Sequence, residues 1–413
     1  MDYDAIILGA GPAGSTTALL LARAGWSVAI VEKDAFPRRK VCGEFMSATN
    51  APLFALLGVE GVVRERAGPE ISRVGLFSGA DIIEAAMPSF SGRSARWGRA
   101  LGRDVLDTAL LAEAVAAGAV SWQPWKATAL ASGTTGHLCT IARGSEGRVL
   151  RARIIIAAHG SWSPGGLPTQ MAREHRPTDL LAFKARFLNS GLAPDLMPLL
   201  VFPGGYGGMV CSDGARASLS CCIRRDWLNI ARARHPDAPA GEAVLRHIEA
   251  SCRGVADVLE AAVLDGTWLS AGPIRPGIRE RHADGVFRVG NVAGEAHPIV
   301  AEGISMAMQS GWLLSSVLLA GEARDLEPGA LDAVGRDYGG RWARLFAPRI
   351  RAAAAFAALA LEPRAAALAR PLLKRFPTLL SLGARLSGKT MSAECHIHHA
   401  LPADHDLRPA RRC

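Results

Sequence analysis

The chain has 413 residues, 49% of them apolar and 21% charged, with a formal net charge of +9. That length suits two or three domains, or one large α/β unit with an inserted lobe, and the composition is ordinary for a soluble protein with a real core. A basic balance favours anionic partners, but no aromatic-interleaved RNA motif and no zinc-finger spacing accompanies it, so nucleic acid is not expected.

The N-terminal stretch reads strand, turn, helix, strand. Residues 5–8 form a buried-strand run, and Gly9-x-Gly11-x-x-Gly14 the turn. Residues 15–24 have helical spacing ended by Gly25, and 26–31 form a second strand closed by Glu32. This unit meets the conditions of a dinucleotide-binding fingerprint. Gly9 permits the tight turn, Gly11 lets backbone approach a pyrophosphate, and Gly14 lets helix and strand pack closely. Free N–H groups at the helix N-terminus suit phosphates. Glu32 stands where a carboxylate accepts hydrogen bonds from an adenosine ribose, which argues against a 2′-phosphate.

A basic loop, FPRRKVCGEFMS, follows at 36–47. From Leu101, the segment LGRDVLDTALLAEAVAAGA carries Arg103 and then apolar positions on one helix face. A strand over 153–158 ends in the turn His159-Gly160-Ser161. Between about 180 and 269, alternating runs such as LLAFKARF and ASLSCCIRR predict antiparallel strands, with FPGGYGGMV as a glycine-rich connection. A helix is expected over 240–262. Residues 286–311 then return to strand, turn and helix, as VFRV followed by GNVAGEAHPIVAEGISMAMQSG. Beyond about Tyr338 the chain is helical, rich in Ala and Leu, and broken by Pro348, Pro363, Pro371 and Pro377. Between Arg341 and Lys389 stand ten Arg or Lys and one acid, Glu362.

Two glycine turns so far apart suit one long cofactor. The first holds the adenosine and pyrophosphate of FAD. The second strand–turn–helix reaches its ribityl chain and ring, and a helix starting near Pro298 aims its amides at the ring, where they stabilise the negative charge of the reduced form.

These motifs, in this order, resemble the FAD-dependent oxidoreductases of the p-hydroxybenzoate hydroxylase and geranylgeranyl reductase superfamily. The nearest likeness is to the group carrying FPRxKxCGE. The resemblance covers most of the chain: GAGPAGS at 9–15, Glu32-Lys33, the 36–47 loop, GRDVLD at 102–107, AAHGSW at 157–162, FPGGYGG at 202–208 and the 290–311 stretch. It implies an α/β fold: a Rossmann-type FAD-binding domain with a parallel sheet, an inserted mixed or antiparallel substrate lobe, and C-terminal helices. The expected division is 1–75, 101–165 and 272–340 for FAD, 76–100 and 166–271 for substrate, 341–390 for the helices, and 391–413 for a mobile tail.

The implied cofactor contacts are Gly9, Gly11, Pro12, Ala13, Gly14, Glu32, Lys33, Arg38, Lys40, Cys42, Arg103, Gly290, Asn291, Gly303 and Ile304. Three positions depart from the family pattern. Asn291 replaces the usual Asp, yet its amide oxygen still accepts a ribityl hydroxyl. His159-Gly160 replaces Asp-Gly in a segment that related hydroxylases link to FAD and NAD(P)H. Ala301 replaces a common Gly. NAD(P)H is the expected transient electron donor.

His297, with Glu295, is the candidate for proton transfer beside the flavin, since His titrates in the useful range; the alternative is a histidine that fixes the turn. Glu44 reads as an acid–base group or as a structural hydrogen bonder. Cys42 reads as a redox or substrate-contacting thiol or as a small residue packed on the cofactor. The glycines at 204–208 admit substrate to the flavin or connect two strands. Trp122-Gln-Pro-Trp125 superficially resembles the tryptophan motif of flavin halogenases without its ordering, and no halogenase lysine motif accompanies it.

No metal site is expected. The Cys395, His396, His398, His399 and His405 segment reads as a polar, proline-bounded tail. The eight cysteines form no C-x-x-C pair and suggest a reduced, cytoplasmic setting. The chain enters a strand straight after Met1, so no secretory leader is expected. The basic 341–390 region lies on an anionic membrane surface, covers a greasy channel, or caps the FAD domain with its arginines in solvent. The first-choice activity is an NAD(P)H- and O2-dependent monooxygenase hydroxylating or epoxidising an apolar, aromatic or polyketide-like molecule. Alternatives are a reductase or dehydrogenase of C=C bonds in an isoprenoid or other lipid, and a non-catalytic flavin electron carrier.

Overall fold

The computed structural model of the chain describes residues 2–90, 95–133, 136–162, 165–171, 174–326 and 328–389. The tail cluster from Cys395 to His405 lies outside the described residues.

A first sheet runs in the order His282–Ala283, Val286–Arg288, Glu146–Ala157, Tyr3–Leu8, Val28–Val31, Val120–Trp122. From Val286–Arg288 to Val120–Trp122 all neighbours are parallel. The strands are continuous apolar runs because both faces are covered. Side chains alternate between the faces. Ala5, Ile7, Ile154 and Ile156 pack with helices Pro12–Arg23, Arg103–Ala116 and Gly303–Ala320. Ile6, Leu8 and Ile155 pack against Trp125, Cys139 and Ile141, of which the last two lie on the antiparallel strand Gly136–Arg143. The first helix begins at Pro12, three residues earlier than the spacing predicts. Proline costs nothing there, because the N–H it lacks has no partner in a first turn.

The second sheet runs Val263–Leu264, Leu180–Leu188, Ala217–Arg224, Gly205–Cys211, Leu196–Phe202, Arg73–Ser78, Asp81–Ala86, with Leu269–Ile274 also on Leu180–Leu188. The expected boundaries at 75/76 and 271/272 fall inside two of these strands. Only Pro203 and Gly204 of FPGGYGG form the expected connection. Phe202 ends one strand, and Gly205–Cys211 is the next, in the middle of the sheet. Its glycines answer to crowding: a Cβ on Gly207 would stand 2.6 Å from the Ser220 carbonyl oxygen, and one on Gly205 2.5 Å from that of Cys222.

The helix expected over 240–262 is two helices, Ala240–Glu249 and Arg253–Leu259. Cys252 breaks the run with extended backbone, and its thiol donates to the Val201 carbonyl at 3.3 Å. Helix Leu331–Leu361 continues through Pro348. It ends at Glu362, whose carboxylate caps helix Pro363–Arg375 by accepting from the Arg364 N–H. Pro371 also lies inside a helix, while Pro377 precedes helix Thr378–Ala384. Gly303–Ala320 is long and apolar enough to cross a membrane, but 78% of it is buried inside the fold.

Candidate active site

A cleft of about 680 Å³ lies between the first sheet's C-terminal edge and the second sheet. Every expected cofactor residue except Gly14 lines it. Gly14 acts from behind. A Cβ there would stand 1.9 Å from the Gly9 carbonyl oxygen, so only glycine lets the helix start this close to the turn. Gly9 has φ +108°, and a Cβ on it would meet the Ala158 carbonyl oxygen at 2.7 Å. At Gly11 the nearest atom to such a Cβ is Arg103 Nη2 at 3.6 Å. That gap between turn and arginine is the cradle a pyrophosphate needs. Gly11 caps the helix without a side-chain hydrogen bond, so the first-turn N–H groups remain for an anion.

Glu32 is buried, and backbone donors fix both its oxygens. Oε2 accepts from Ala10 N at 2.9 Å and Oε1 from Asp34 N at 3.0 Å. Lys33, half-exposed at the rim, pairs with Asp34. Arg38 and Arg103 converge on one carboxylate, Asp107, at 3.1 and 2.7 Å. Asp107 offsets one of the two guanidinium charges and fixes the position of both. Beside them, burial together with Arg38 and Arg103 pushes the Lys40 amine down to about 8. Arg38 also lies 3.6 Å from Glu32 and 3.7 Å from Asp34, so carboxylates offset part of the charge. Arg38, Lys40 and Arg103 remain the cations beside the glycine turn, and with the open gap at Gly11 the site fits the pyrophosphate of FAD.

A prediction follows from Lys40. A bound pyrophosphate would favour its charged form and raise its pKa above 8. The complex then holds more protons than the free protein once pH exceeds about 8. FAD affinity is therefore expected to be flat below that pH and to fall above it. Calorimetry at pH 8.5 in buffers of different ionisation enthalpy should report proton uptake; no buffer dependence would contradict this placement.

At the far end, Gly290 has φ +59°, and a Cβ there would stand 3.0 Å from that of Ala13, so the two turns touch. The Asn291 amide donates to Glu295 Oε1 at 3.0 Å, a bond that does not use its own oxygen. The helix expected near Pro298 starts at Gly303; Pro298–Val300 is a separate 3₁₀ turn. Ala301 separates them with φ +52°, the left-handed region, which favours glycine and costs alanine about 1 kcal/mol. Ile304 follows in the first helical turn and lines the cleft.

The candidate proton-transfer residues take different roles. Burial acts to raise the pKa of Glu44, but Lys184 and Arg186 hold it below the usual carboxylate range. Arg186 Nη2 stands 2.6 Å from Glu44 Oε1, and Lys184 pairs with the same oxygen. Through this oxygen Glu44 anchors the 36–47 loop to the second sheet, and it also lines the cleft. Glu295 is buried, which raises its pKa against the pull of Arg279, and it also accepts from Trp162 Nε1 at 3.0 Å.

His297 does not form a unit with Glu295. Its hydrogen-bond partner is Tyr206, whose hydroxyl lies 3.1 Å from Nδ1. Burial depresses the His297 pKa and raises that of Tyr206. Both are neutral near pH 7, and the imidazole tautomer decides which of the two donates; the Tyr206 hydroxyl also meets the Cys222 thiol. His159 packs as an ordering residue: its ring nitrogens meet the Gly160 carbonyl and the Thr169 hydroxyl, both at 2.8 Å, and burial pushes its pKa down to about 4.

A smaller chamber of about 100 Å³ adjoins the cleft and shares Val41, Cys42, Gly43, Trp162, Pro298 and Ala301 with it. Its remaining wall is largely apolar, with Met197, Leu199, Met209 and Ile274. Tyr206 lines the chamber and His297 the cleft, so their hydrogen bond joins the two spaces. Cys42 lines both. Trp122 and Trp125 pack edge to face at 5.5 Å, and Trp125 N–H bonds Glu32 O, which places this pair at the adenosine end. Among the described residues no cluster of three or more His, Cys, Asp or Glu stands within metal-binding range.

Sequence reading missed Asp107, Lys184, Arg186 and Tyr206. Charged residues inside the apolar run LLAFKARF, and one aromatic among four glycines, were the available signals.

The glycine turn on a parallel sheet, its acidic ribose position, the cationic cradle and the second turn against the first define an FAD-dependent oxidoreductase. The chain belongs to the FAD binding domain family, whose model matches residues 2–333. Conditioned medium factor receptor 1 of Dictyostelium discoideum is 28% identical over 344 residues, 78% of this chain and 65% of that protein, so the chain spans less than two thirds of that relative. Digeranylgeranylglycerophospholipid reductase 2 of Methanopyrus kandleri is 27% identical over 361 residues, 84% of this chain and 83% of that protein. The flavin-dependent brominase Bmp2 superposes with a TM-score of 0.70 at 18% identity, covering 94% of this chain and 93% of its own. A geranylgeranyl bacteriochlorophyll reductase-like protein of Thermoplasma acidophilum does so with 0.70 at 20% identity, covering 98% and 97%. At such identity these two structures establish the fold alone.

Proposed function

We propose that the protein is an NAD(P)H- and O2-dependent monooxygenase that hydroxylates or epoxidises a compact apolar molecule, aromatic or polyketide-like. The observation that carries this reading is the apolar chamber joined to the FAD cleft through the Tyr206–His297 hydrogen bond. A space of about 100 Å³ suits a ring better than a long isoprenoid chain. Bound FAD supplies two-electron chemistry, taking electrons from NAD(P)H and passing them to O2. The chain's own residues bind, orient and exclude water. Gly9, Gly11, Glu32, Arg38, Lys40 and Arg103 would hold the adenosine and pyrophosphate. Asn291 and the first turn of Gly303–Ala320 hold the ring end. The Tyr206–His297 hydrogen bond gives a path along which a proton can pass between the chamber and the cleft.

A second reading, reduction or dehydrogenation of C=C bonds in an isoprenoid or other lipid, draws support from the reductase of Methanopyrus kandleri that matches most of both chains. The test separates the two. Purified protein is supplied with NADH or NADPH under isotopically heavy oxygen gas and a panel of phenols and polyketide-like compounds. In parallel, chemically reduced protein is mixed anaerobically with unsaturated isoprenoids. Heavy oxygen in a product is the expected result. Gain of two hydrogens by an isoprenoid, with no oxygen incorporated anywhere, would replace the first reading with the second. No turnover in either arm would leave the electron-carrier reading.

A further inference from the structure

We propose that the C-terminal helices dock the protein on an anionic lipid surface. Helix Pro363–Arg375 buries no residue completely. Leu368 and Leu372, one turn apart on one face, are 79% and 52% exposed, and Phe376, Leu382 and Leu386 continue the series at 49%, 49% and 59%. The inner side is held differently. Leu373, Leu380 and Ala384 pack in the cluster that contains Val74, Met197 and Val210, and Lys374 pairs with Asp81 at 2.8 Å. The helices thus sit on the substrate sheet by one face and leave a second apolar face outward.

Charge decides the occupant. Residues 363–389 hold six cations and no Asp or Glu; Lys389 is buried against Glu302 and Lys374 pairs with Asp81, which leaves four arginines, Arg364, Arg370, Arg375 and Arg385. Arg364, Arg375 and Arg385 are exposed beside the leucines. A second copy meeting this face symmetrically would set like charge against like. A nucleic acid would use the arginines and gain nothing from five exposed apolar side chains. An anionic bilayer uses both: leucines enter the acyl boundary while arginines remain among the headgroups. Met197 and Val210 also wall the chamber, so docking sets one layer of helix between lipid and chamber. This last link rests on the proposed substrate site; the docking itself does not.

The test uses the full-length, FAD-loaded protein, sedimented with vesicles of mixed phosphatidylglycerol and phosphatidylcholine, and with phosphatidylcholine alone. Binding is expected to the anionic vesicles, with affinity more than about tenfold lower on the neutral ones and in 1 M salt, where screening shortens to roughly 3 Å. The Leu368→Glu/Leu372→Glu variant should lose more than about tenfold as well, with FAD content and melting temperature unchanged, since both side chains are exposed. No binding to anionic vesicles, or equal binding by the variant, overturns the proposal. So does self-association that the variant abolishes, which makes the occupant a second copy, or capture of a DNA duplex with no vesicle binding. Turnover of a compact soluble substrate without vesicles is read on both proteins, so failure of docking stays separate from failure of the proposed reaction.

Discussion

Gly14→Ala is expected to give a protein that purifies without flavin and melts at a lower temperature. The added carbon would stand 1.9 Å from the Gly9 carbonyl oxygen, a backbone atom that no rotamer change can move aside. Relief requires the first helix to shift away from the strand that carries the turn. Overpacking of this kind costs about 1–3 kcal/mol, and more where backbone must move. Gly11→Glu is expected to separate cofactor loss from fold loss. Its Cβ meets only Arg103, at 3.6 Å, so the fold tolerates it. The new carboxylate would occupy the pyrophosphate's place and neutralise the arginine, lowering FAD affinity by at least about a hundredfold. Flavin absorbance after gel filtration, read beside circular dichroism, checks both variants. A fully flavinated Gly14→Ala protein with unchanged melting temperature would contradict the packing argument, and a flavinated, active Gly11→Glu protein the cofactor placement.

Tyr206→Phe is expected to lower kcat by about a hundredfold while FAD binding stays intact, the range of one positioned proton-transfer group. The substitution removes one oxygen from a side chain only 1% exposed and preserves its packing shape. His297→Ala should fall as far, and the double variant little further, because two residues acting through one hydrogen bond are not additive. The pH profile supplies a second readout. Burial holds His297 below its ordinary value, so the imidazole is neutral at pH 7 and gains charge only as pH falls below the usual histidine range. Once protonated it accepts nothing from Tyr206. Wild-type kcat should therefore drop on the acid side, and His297→Ala should lack that limb. Unchanged turnover in both single variants would remove the pair from the chemistry.

The N-terminal fingerprint was legible because it is local: strand, turn, helix and acid lie within one continuous stretch, and each residue type has a steric or electrostatic reason. The later glycine turn was legible for the same reason, although Ala301 delays its helix. The second sheet was less so. Glycine at 205, 207 and 208 argues against a strand on propensity, whereas the structure uses the missing side chains of Gly205 and Gly207 to admit Cys222 and Ser220 from the next strand. Glu44 meets Lys184 and Arg186 only through pairing of a loop with a strand some 140 residues on, a distance over which periodicity carries no information. Tyr206 meets His297 across 91 residues for the same reason.

Strand Val286–Arg288 joins the parallel sheet beside Glu146–Ala157, and the ring-facing helix comes later still. On a ribosome, the adenosine half of the cleft is therefore complete long before the half that holds the ring has been translated. Until then residues 155–157 lack their neighbour on that side, while 146–152 are already paired with Gly136–Arg143, so the waiting parallel edge is short. Vectorial synthesis thus makes cofactor loading a late event, and a cell short of FAD would be expected to accumulate full-length chains whose two half-cradles lack the ligand that bridges them.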